Sequence, residues 1–430
     1  MNPALRFGYA AAAQLARAAA AVVPAGSSKV TRALHARRGI RERFAAWGRT
    51  ARDPRRPLLW VHAPSVGEGL QARPIIELLR RERPDVQLVY THFSPSAAAF
   101  AASLGADFAD YLPFDTAGDA DATLDALRPT AIVFSKLDVW PTLAERAAGR
   151  GVRLGLVSAT LSGESSRRSG LAAALLRDAY RRLDAVGAID AEDAERLVAL
   201  GVRREAIAVT GDTRYDQVWA RAQAAPTRAA ALLAPLRSPR PTLVAGSTWP
   251  ADEAPLLEAW RAVRARVPEA RLVIAPHEPT PAHLSPIERW GATSGAGLTL
   301  ARLGDAARAA TADVVLVDRV GVLGDLYALA DAAFVGGGFH AAGLHSVLEP
   351  AAFGAPVLFG PRFAGSRDAR LLLEAGGGAT ASTAADLAAH LVTWLGDAPA
   401  RHTAGSAARA VVERGLGAAR QSYELVLGLL

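Results

Sequence analysis

The sequence predicts an α/β protein built from two doubly wound parallel sheets with a cleft between them. Three observations carry this. From Leu58 onward, short apolar runs alternate with helix-period segments, the pattern of strands buried on both faces and joined by crossover helices. A stretch without strand character, "ARAQAAPTRAAALLAPLRSPRP" (Ala220–Pro241), interrupts that rhythm, which then restarts. A chain of 430 residues also exceeds one ordinary core, so two domains are expected.

The expected strands of the first half are Leu58–Ala63, Val86–Thr91, Ala131–Lys136, Arg153–Ala159, Ala185–Asp190 and Ile207–Gly211. Helix-period segments such as Gln71–Arg81 and Ala191–Leu200 separate them. In the second half the strands are Thr242–Ser247, Arg271–Pro276, Asp313–Asp318, Ala332–Val335 and Ala355–Phe359. The resulting boundaries are 1–56, 57–219, a linker at 220–241, 242–400, and a C-terminal helical stretch at 401–430 that packs back on the first domain. Ligands of such sheets sit at the carboxyl ends of the strands.

Half of the chain is apolar and 21% is charged, a globular balance. There is no cysteine, which excludes disulfides, thiolate metal sites and a Cys nucleophile. Arg outnumbers Lys by 47 to two, and Ala is abundant; GC-rich coding explains this, so much of the high pI needs no functional cause. The distribution of charge says more. Residues 1–56 carry 12 Lys and Arg against Glu42 and Asp53, a net +10 in a chain of +7, so the rest is slightly acidic. Such a patch points to nucleic acid or an anionic membrane surface.

"ALRFGYAAAAQLARAAAAVVP" (Ala4–Pro24) lies just ahead of most of these charges. Interrupted by Gln14 and Arg17 and mostly alanine, it makes a poor spanning helix, and "VVPAG" offers only a weak cleavage signal. Two readings remain open: a helix lying in a membrane interface, and an ordinary Ala-rich packing helix. The basic run lacks aromatic stacking residues beyond Phe44 and Trp47, so nucleic acid is not expected as a partner.

Polar loops follow six strands: "HAPSVGEG" (His62–Gly69), "THFSPS" (Thr91–Ser96), "SKLDVWP" (Ser135–Pro141), "GSTWPADE" (Gly246–Glu253), "APHEPT" (Ala275–Thr280), and "VGGGFHAAGLHSVLEP" (Val335–Pro350). The last runs from a strand through glycines into a helix from about Leu344. It suits an anion held by bare N–H groups, and equally a tight turn without a ligand. Each polar residue has two readings. Glu68 is a reactive carboxylate or a first-turn helix acid. Ser247 and Thr248 bind ligand or cap the helix starting near Ala251. His277 is a site residue or a solvated loop histidine; His340 and His345 face a ligand or bond the loop that carries them. Lys136 and Asp138 line the site or pair with each other. Glu349, inside a helix near the sheet, needs a partner, and a ribose diol is a natural one. No HExxH spacing, Walker A loop or G-x-S-x-G occurs, so no metal and no cofactor are expected.

The segments "VHAPSVGEGLQARPIIELL", "YLPFDT", "DVWPTL", "VTGDTRYD", "AGSTWPADEAPLLEAW" and "GDLYALADAAFVGGGFHAAGLHSVLEPAAFGAPVLFGP" resemble, in content and order, the 3-deoxy-D-manno-octulosonic acid (Kdo) transferases. The resemblance runs from about Arg38 to about Gly378. It implies the GT-B arrangement of two Rossmann-like domains with an interdomain cleft, the acceptor side in 57–219 and the donor side in 242–400. It also implies an inverting transfer of Kdo from CMP-Kdo to a lipid A precursor. The location implied is the cytoplasmic face of the inner membrane, with residues 1–56 as the membrane-associated segment on its anionic surface. By matching position, Glu68 is the catalytic base. Gly246, Ser247, Thr248, His277, Gly336, Gly337, Gly338, His345 and Glu349 fall on the donor side, and Ser65, Lys136 and Asp138 on the acceptor side.

The chain departs from the family at Ser135 and Lys136, where a Glu-x-Glu-x-Trp-Pro pattern is usual. It departs again at Ala342–Ser346, where Gly-Gly-His-Asn is usual, and at Pro276, where an Arg normally precedes the histidine. Competing readings are a GT-B transferase or epimerase using a UDP-sugar, and a nucleotide-sugar-binding protein without catalysis.

Overall fold

The computed structural model describes residues 3–24, 26, 28–161, 170–293 and 297–430, so part of the "VVPAG" stretch lies outside the described residues. The chain divides into two compact units, Met1–Gln217 with Leu416–Leu430, and Val218–Gly415.

Among the described residues the first unit holds a seven-stranded sheet. Its strands are β1 (Leu58–His62), β2 (Gln87–His92), β3 (Phe108–Tyr111), β4 (Ala131–Ser135), β5 (Arg153–Ala159), β6 (Ala185–Ala188) and β7 (Ile207–Val209). They run in the order β3-β2-β1-β4-β5-β6-β7, every pair parallel. All residues of β1, β2 and β4 are buried, which is why these strands read as continuous apolar runs rather than alternations.

The second unit likewise holds seven described strands: β8 (Thr242–Thr248), β9 (Arg271–Pro276), β10 (Leu300–Arg302), β11 (Val314–Leu316), β12 (Ala332–Val335), β13 (Val357–Phe359) and β14 (Gly378–Thr380). Their order is β10-β11-β9-β8-β12-β13-β14, again parallel throughout. The strands absent from the expectation, β3, β10 and β14, are all at sheet edges. Each has three or four residues of mixed exposure, too short and too half-buried to leave a period in the sequence.

Three helices precede β1: α1 (Pro3–Val22), α2 (Lys29–Ala36) and α3 (Ile40–Thr50). Residues 1–56, read from sequence as one basic segment, divide structurally. Ile40 and Phe44 of α3 sit in the core with Trp60 and Leu127, and Phe44 packs edge-on against Phe108. α1 is tied to the same unit by polar contacts. The Tyr9 hydroxyl donates to Asp115 at 2.6 Å, and Arg6 and Arg17 pair with Glu145 and Asp119 at 2.7 and 3.0 Å. Phe7 and Leu15 stay exposed. No helix among the described residues is long and apolar enough to cross a membrane.

Residues 220–241 are helical for much of their length, within Thr213–Arg228 and Ala230–Leu233. Leu233 and Leu236 enter the core of the second unit. At the other end of the chain, helix Ala398–Arg414 belongs to the second unit and helix Ala418–Leu427 to the first. Tyr423, Val426 and Leu429 there pack with Leu59, Val133 and Val157 of the first sheet.

The start of this last helix is fastened by Asp216, whose carboxylate accepts the N–H groups of Gly417 and Ala419, both at 2.9 Å. Asp216→Ala leaves both donors without that partner, so stability should fall by about 1–2 kcal/mol, the usual cost of losing a helix-start carboxylate. Amide exchange should speed up across 417–427 first. Unchanged exchange there would show that side-chain packing alone holds the helix.

Candidate active site

In the first unit the strand-end loop after β1 opens the long helix α4 (Val66–Glu82). Ser65 is its N-cap, extended at φ −136° and accepting from the Gly67 N–H at 3.2 Å. The Ser65 hydroxyl also donates to the Glu68 carboxylate one turn in. The neighbouring strand β4 supplies two further contacts. Ser135 Oγ donates to the Glu68 carbonyl at 3.0 Å, and Lys136 Nζ lies 3.6 Å from Glu68 Oε1. Lys136 is in the left-handed region, φ 65°, an uncommon state for a residue with a Cβ and one that accumulates at functional sites. Ser65, Glu68 and Lys136 are therefore one group.

Asp138 belongs to a second, adjoining group. It lies 3.0 Å from His62 Nε2 and accepts the Trp140 indole N–H at 3.0 Å. The other ring nitrogen of His62 meets Thr91 Oγ1 at 3.0 Å, and that hydroxyl accepts from Trp60 Nε1 at 2.9 Å. Nδ1 also lies 3.1 Å from the Thr91 carbonyl, so the ring is held from both sides. His62 has no motif of its own in the sequence. Its signal was a histidine ending an otherwise apolar strand.

In the second unit the arrangement turns on Asp252, in the first turn of helix Pro250–Arg266 and fully buried. Its carboxylate accepts from Trp249 N at 2.9 Å, Gly337 N at 2.7 Å and Phe339 N at 2.9 Å. This corrects the expectation of bare N–H groups at Gly336 and Gly337. Gly337 is bonded to Asp252, and Gly336 donates to the Gly246 carbonyl at 2.9 Å. The glycines serve close approach instead. A Cβ on Gly336 would lie 2.2 Å from the Ser247 carbonyl oxygen, and one on Gly338 would lie 2.5 Å from the Gly360 nitrogen. The helix expected from about Leu344 is the short Leu348–Ala352.

Ser247 and Thr248 are not the helix caps. Trp249 occupies the N-cap position, Thr248 Oγ1 donates to Glu253 at 2.9 Å, and Ser247 is left-handed at φ 54°. The Trp249 indole stacks on His340 (4.3 Å between centroids, 6° between planes) and on His277 (4.6 Å, 25°). His277 in turn stacks on His345 at 4.6 Å. Trp249 Nε1 donates to His345 Nε2 at 3.1 Å, which requires an unprotonated nitrogen. Burial, reinforced by His277, lowers the pKa of His345 in agreement. Nothing in "GSTWPADE" marks Trp249 or Asp252, because neither a stack nor a loop clamp has a spacing signature.

Glu349 lies apart from the stack, facing Tyr327. Among the described residues its carboxyl forms no hydrogen bond or ion pair. Burial pushes its pKa up, the nearby Arg221 opposing this. Tyr327 is itself raised by burial and by Glu349, and its hydroxyl stands where a Gly246 side chain would be, 2.2 Å from a built Cβ. Gly246, Tyr327 and Glu349 thus form one wall. No group of three or more His, Asp and Glu side chains among the described residues is arranged to hold a metal ion.

Two Rossmann-like units with polar clusters at their strand ends define a GT-B protein. The fold is shared with the UDP-GlcNAc 2-epimerase from Neisseria meningitidis bound to UDP-GlcNAc (TM-score 0.64, 13% identity, covering 86% of this chain and 100% of that one). The family model described as 3-Deoxy-D-manno-octulosonic-acid transferase (kdotransferase) matches residues 38–217. The 3-deoxy-D-manno-octulosonic acid transferase of Bordetella pertussis is 32% identical over 397 residues, 89% of this chain and 90% of that protein. That of Haemophilus influenzae is 27% identical over 402 residues, 91% of each. The chain belongs to the Kdo transferase family, and is an enzyme of the glycosyltransferase class.

The raised carboxyl of Glu349 has a consequence for stability. Its folded pKa lies above the unfolded one, so the folded state binds the proton more tightly. Stability is therefore lost as pH rises through that interval. Glu349→Gln should match the parent near pH 4 and be the more stable of the two near pH 7. Urea unfolding at both pH values checks this; a variant less stable at pH 7 would mean the carboxylate is held by a favourable contact. Asp252→Ala strips three backbone donors of one buried acceptor and should cost about 3–5 kcal/mol, measurable in the same experiment.

Proposed function

We propose that this chain is an inverting glycosyltransferase that moves Kdo from CMP-Kdo to a lipid A precursor, in lipopolysaccharide core biosynthesis. The observation that carries the reading is the Glu68 carboxylate, presented at a strand end and held by Ser65 and Lys136, in a chain of the Kdo transferase family. Attack by a sugar hydroxyl requires removal of its proton as the new bond forms, and Glu68 is the base. Lys136 is a positioning residue: it sits against one carboxylate oxygen while Ser65 bonds the other. The His62–Asp138–Trp140 group beside them lines the acceptor side.

The donor is held by the second unit. Glu349, without a partner of its own, takes the ribose diol. Ser247, whose hydroxyl forms no hydrogen bond among the described residues, acts with Thr248, His277 and His345 on the phosphate, where negative charge grows as the bond to Kdo breaks. Gly336, Gly337 and Gly338 contribute by bringing backbone close, the N–H groups of Gly336 and Gly337 being taken by the Gly246 carbonyl and Asp252. The reaction is placed at the cytoplasmic face of the inner membrane. The support is the net +10 of residues 1–56 and the outward Phe7 and Leu15 of α1, a combination suited to an anionic surface.

Glu68→Gln keeps the shape and a hydrogen-bonding group but loses the basic oxygen. Transfer should fall by about 10²–10⁴-fold, with CMP affinity and melting temperature nearly unchanged. A Gln variant that melts lower but transfers normally would reduce Glu68 to a helix-start acid.

On the donor side, Glu349→Ala should weaken CMP binding by about 1–3 kcal/mol, and CMP should stabilise the parent more than UDP does. Equal stabilisation by both nucleotides would instead favour a UDP-sugar donor.

A further inference from the structure

The first unit contains a cavity of about 410 Å³, the size of a small-molecule pocket, that touches the acceptor-side group only at Trp140. Its walls are apolar: Ala12 and Ala16 of α1, Leu34 of α2, and Phe93, Phe114 and Trp140 from strand-end loops. Asp115 also reaches it, but that carboxylate is closed off by the Tyr9 hydroxyl and by the N–H groups of Thr142 and Leu143. Positive charge is placed differently. Lys29 stands at the cavity, and so does Arg37, only 4% exposed. The Arg37 guanidinium donates to the carbonyls of Leu112 and Ala33 at 2.9 and 2.8 Å and lies 4.2 Å over the Phe93 ring. Among the described residues it makes no ion pair.

A buried cation satisfied only by carbonyls and a ring face lacks a countercharge. Arg37 and Phe114 are also walls of an adjoining pocket of about 220 Å³, lined by Arg17, Arg38 and Arg41 together with Asp119 and Glu42; Asp119 pairs with Arg17 and Arg41, while Arg37 and Arg38 form no ion pair among the described residues. An apolar chamber opening beside a basic one matches a molecule with an acyl chain at one end and an anion at the other. Trp140 joins this chamber to the acceptor side, since its indole N–H bonds Asp138 at 3.0 Å.

We propose that the cavity between α1, α2 and the Phe93, Phe114 and Trp140 loops seats one acyl chain of the phosphorylated lipid acceptor, with Arg37 and Lys29 facing its phosphate. This rests on the transferase reading for the identity of the occupant, and not for the binding itself. The acceptor is then held by a chain drawn out of the bilayer into the protein, and not only by its sugar.

The test titrates the intact chain with octanoyl, decanoyl and dodecanoyl lysophosphatidic acid below micelle formation, and with monoacylglycerols of the same lengths. Affinity should rise about three- to fourfold per methylene and favour the phosphorylated series. Ala12→Trp and Ala16→Trp, both at exposed positions of α1, fill the chamber and should flatten the dependence on chain length while CMP binding persists. Arg37→Gln should abolish the preference for phosphate; if it fails to fold, Lys29→Gln, at an exposed position, should reduce that preference. Affinity independent of chain length, or unchanged by either Trp variant, overturns the proposal. So does a doubled mass in sedimentation that Ala16→Trp halves, since the cavity would then be filled by a second copy. Failure of the parent to bind CMP would count against the transferase reading and leave the cavity result standing.

Discussion

In a sheet whose strands all run parallel, every carboxyl end falls on one edge, and strand order decides which loops become neighbours. That constraint organises both units. β1 and β4 are adjacent, so the loop carrying Glu68 meets the loop carrying Lys136 although 67 residues separate Ser135 from Glu68 in sequence. β8 and β12 are adjacent in the same way. The helix start carrying Asp252 therefore reaches the glycine loop 85 residues later. His62 and Trp249 occupy comparable places, at or just past the end of a central strand.

Holding irregular backbone at these edges is costly, and the structure meets the cost locally. Lys136, Ser158 and Ser247 adopt left-handed backbone angles, a conformation disfavoured by the Cβ. All three lie at strand ends. Around them stand fully buried hydrogen bonds: Ser158 Oγ with Thr213 Oγ1 at 2.9 Å, and Thr213 Oγ1 to the Gln71 carbonyl at 2.7 Å. In the second unit Asp252 does the same task with three backbone donors. A buried carboxylate so fully bonded is a scaffold. The half-buried carboxyl of Glu349, with no hydrogen bond or ion pair among the described residues, has no such scaffolding part.

The arginines have a wider part than the bulk charge implied. Arg41 and Arg17 converge on the buried Asp119, Arg43 grips Asp110 at 2.6 Å, and Arg52 donates to the carbonyls of Leu127 and Arg128. Much of the basic N-terminal charge thus fastens α1, α3 and the residues after them to the first unit. A charge count has one sign for an arginine that clamps and for one that faces a lipid headgroup. Only its partner distinguishes them.

By itself the sequence determined the two parallel sheets, the central strands to within a residue or two, and the polar loops that end them, because strands buried on both faces leave unbroken apolar runs. It also determined the family, through "SVGE", "GST" and "VGGGFH" in order. Tertiary structure alone decided the rest. Edge strands of three or four residues carry no period. The pairing of Lys136 with Glu68, the withdrawal of glycine-loop N–H groups by Asp252, and the stacking of Trp249 with three histidines all depend on strand order and helix placement. Such contacts join residues far apart in the chain, and no local spacing encodes them.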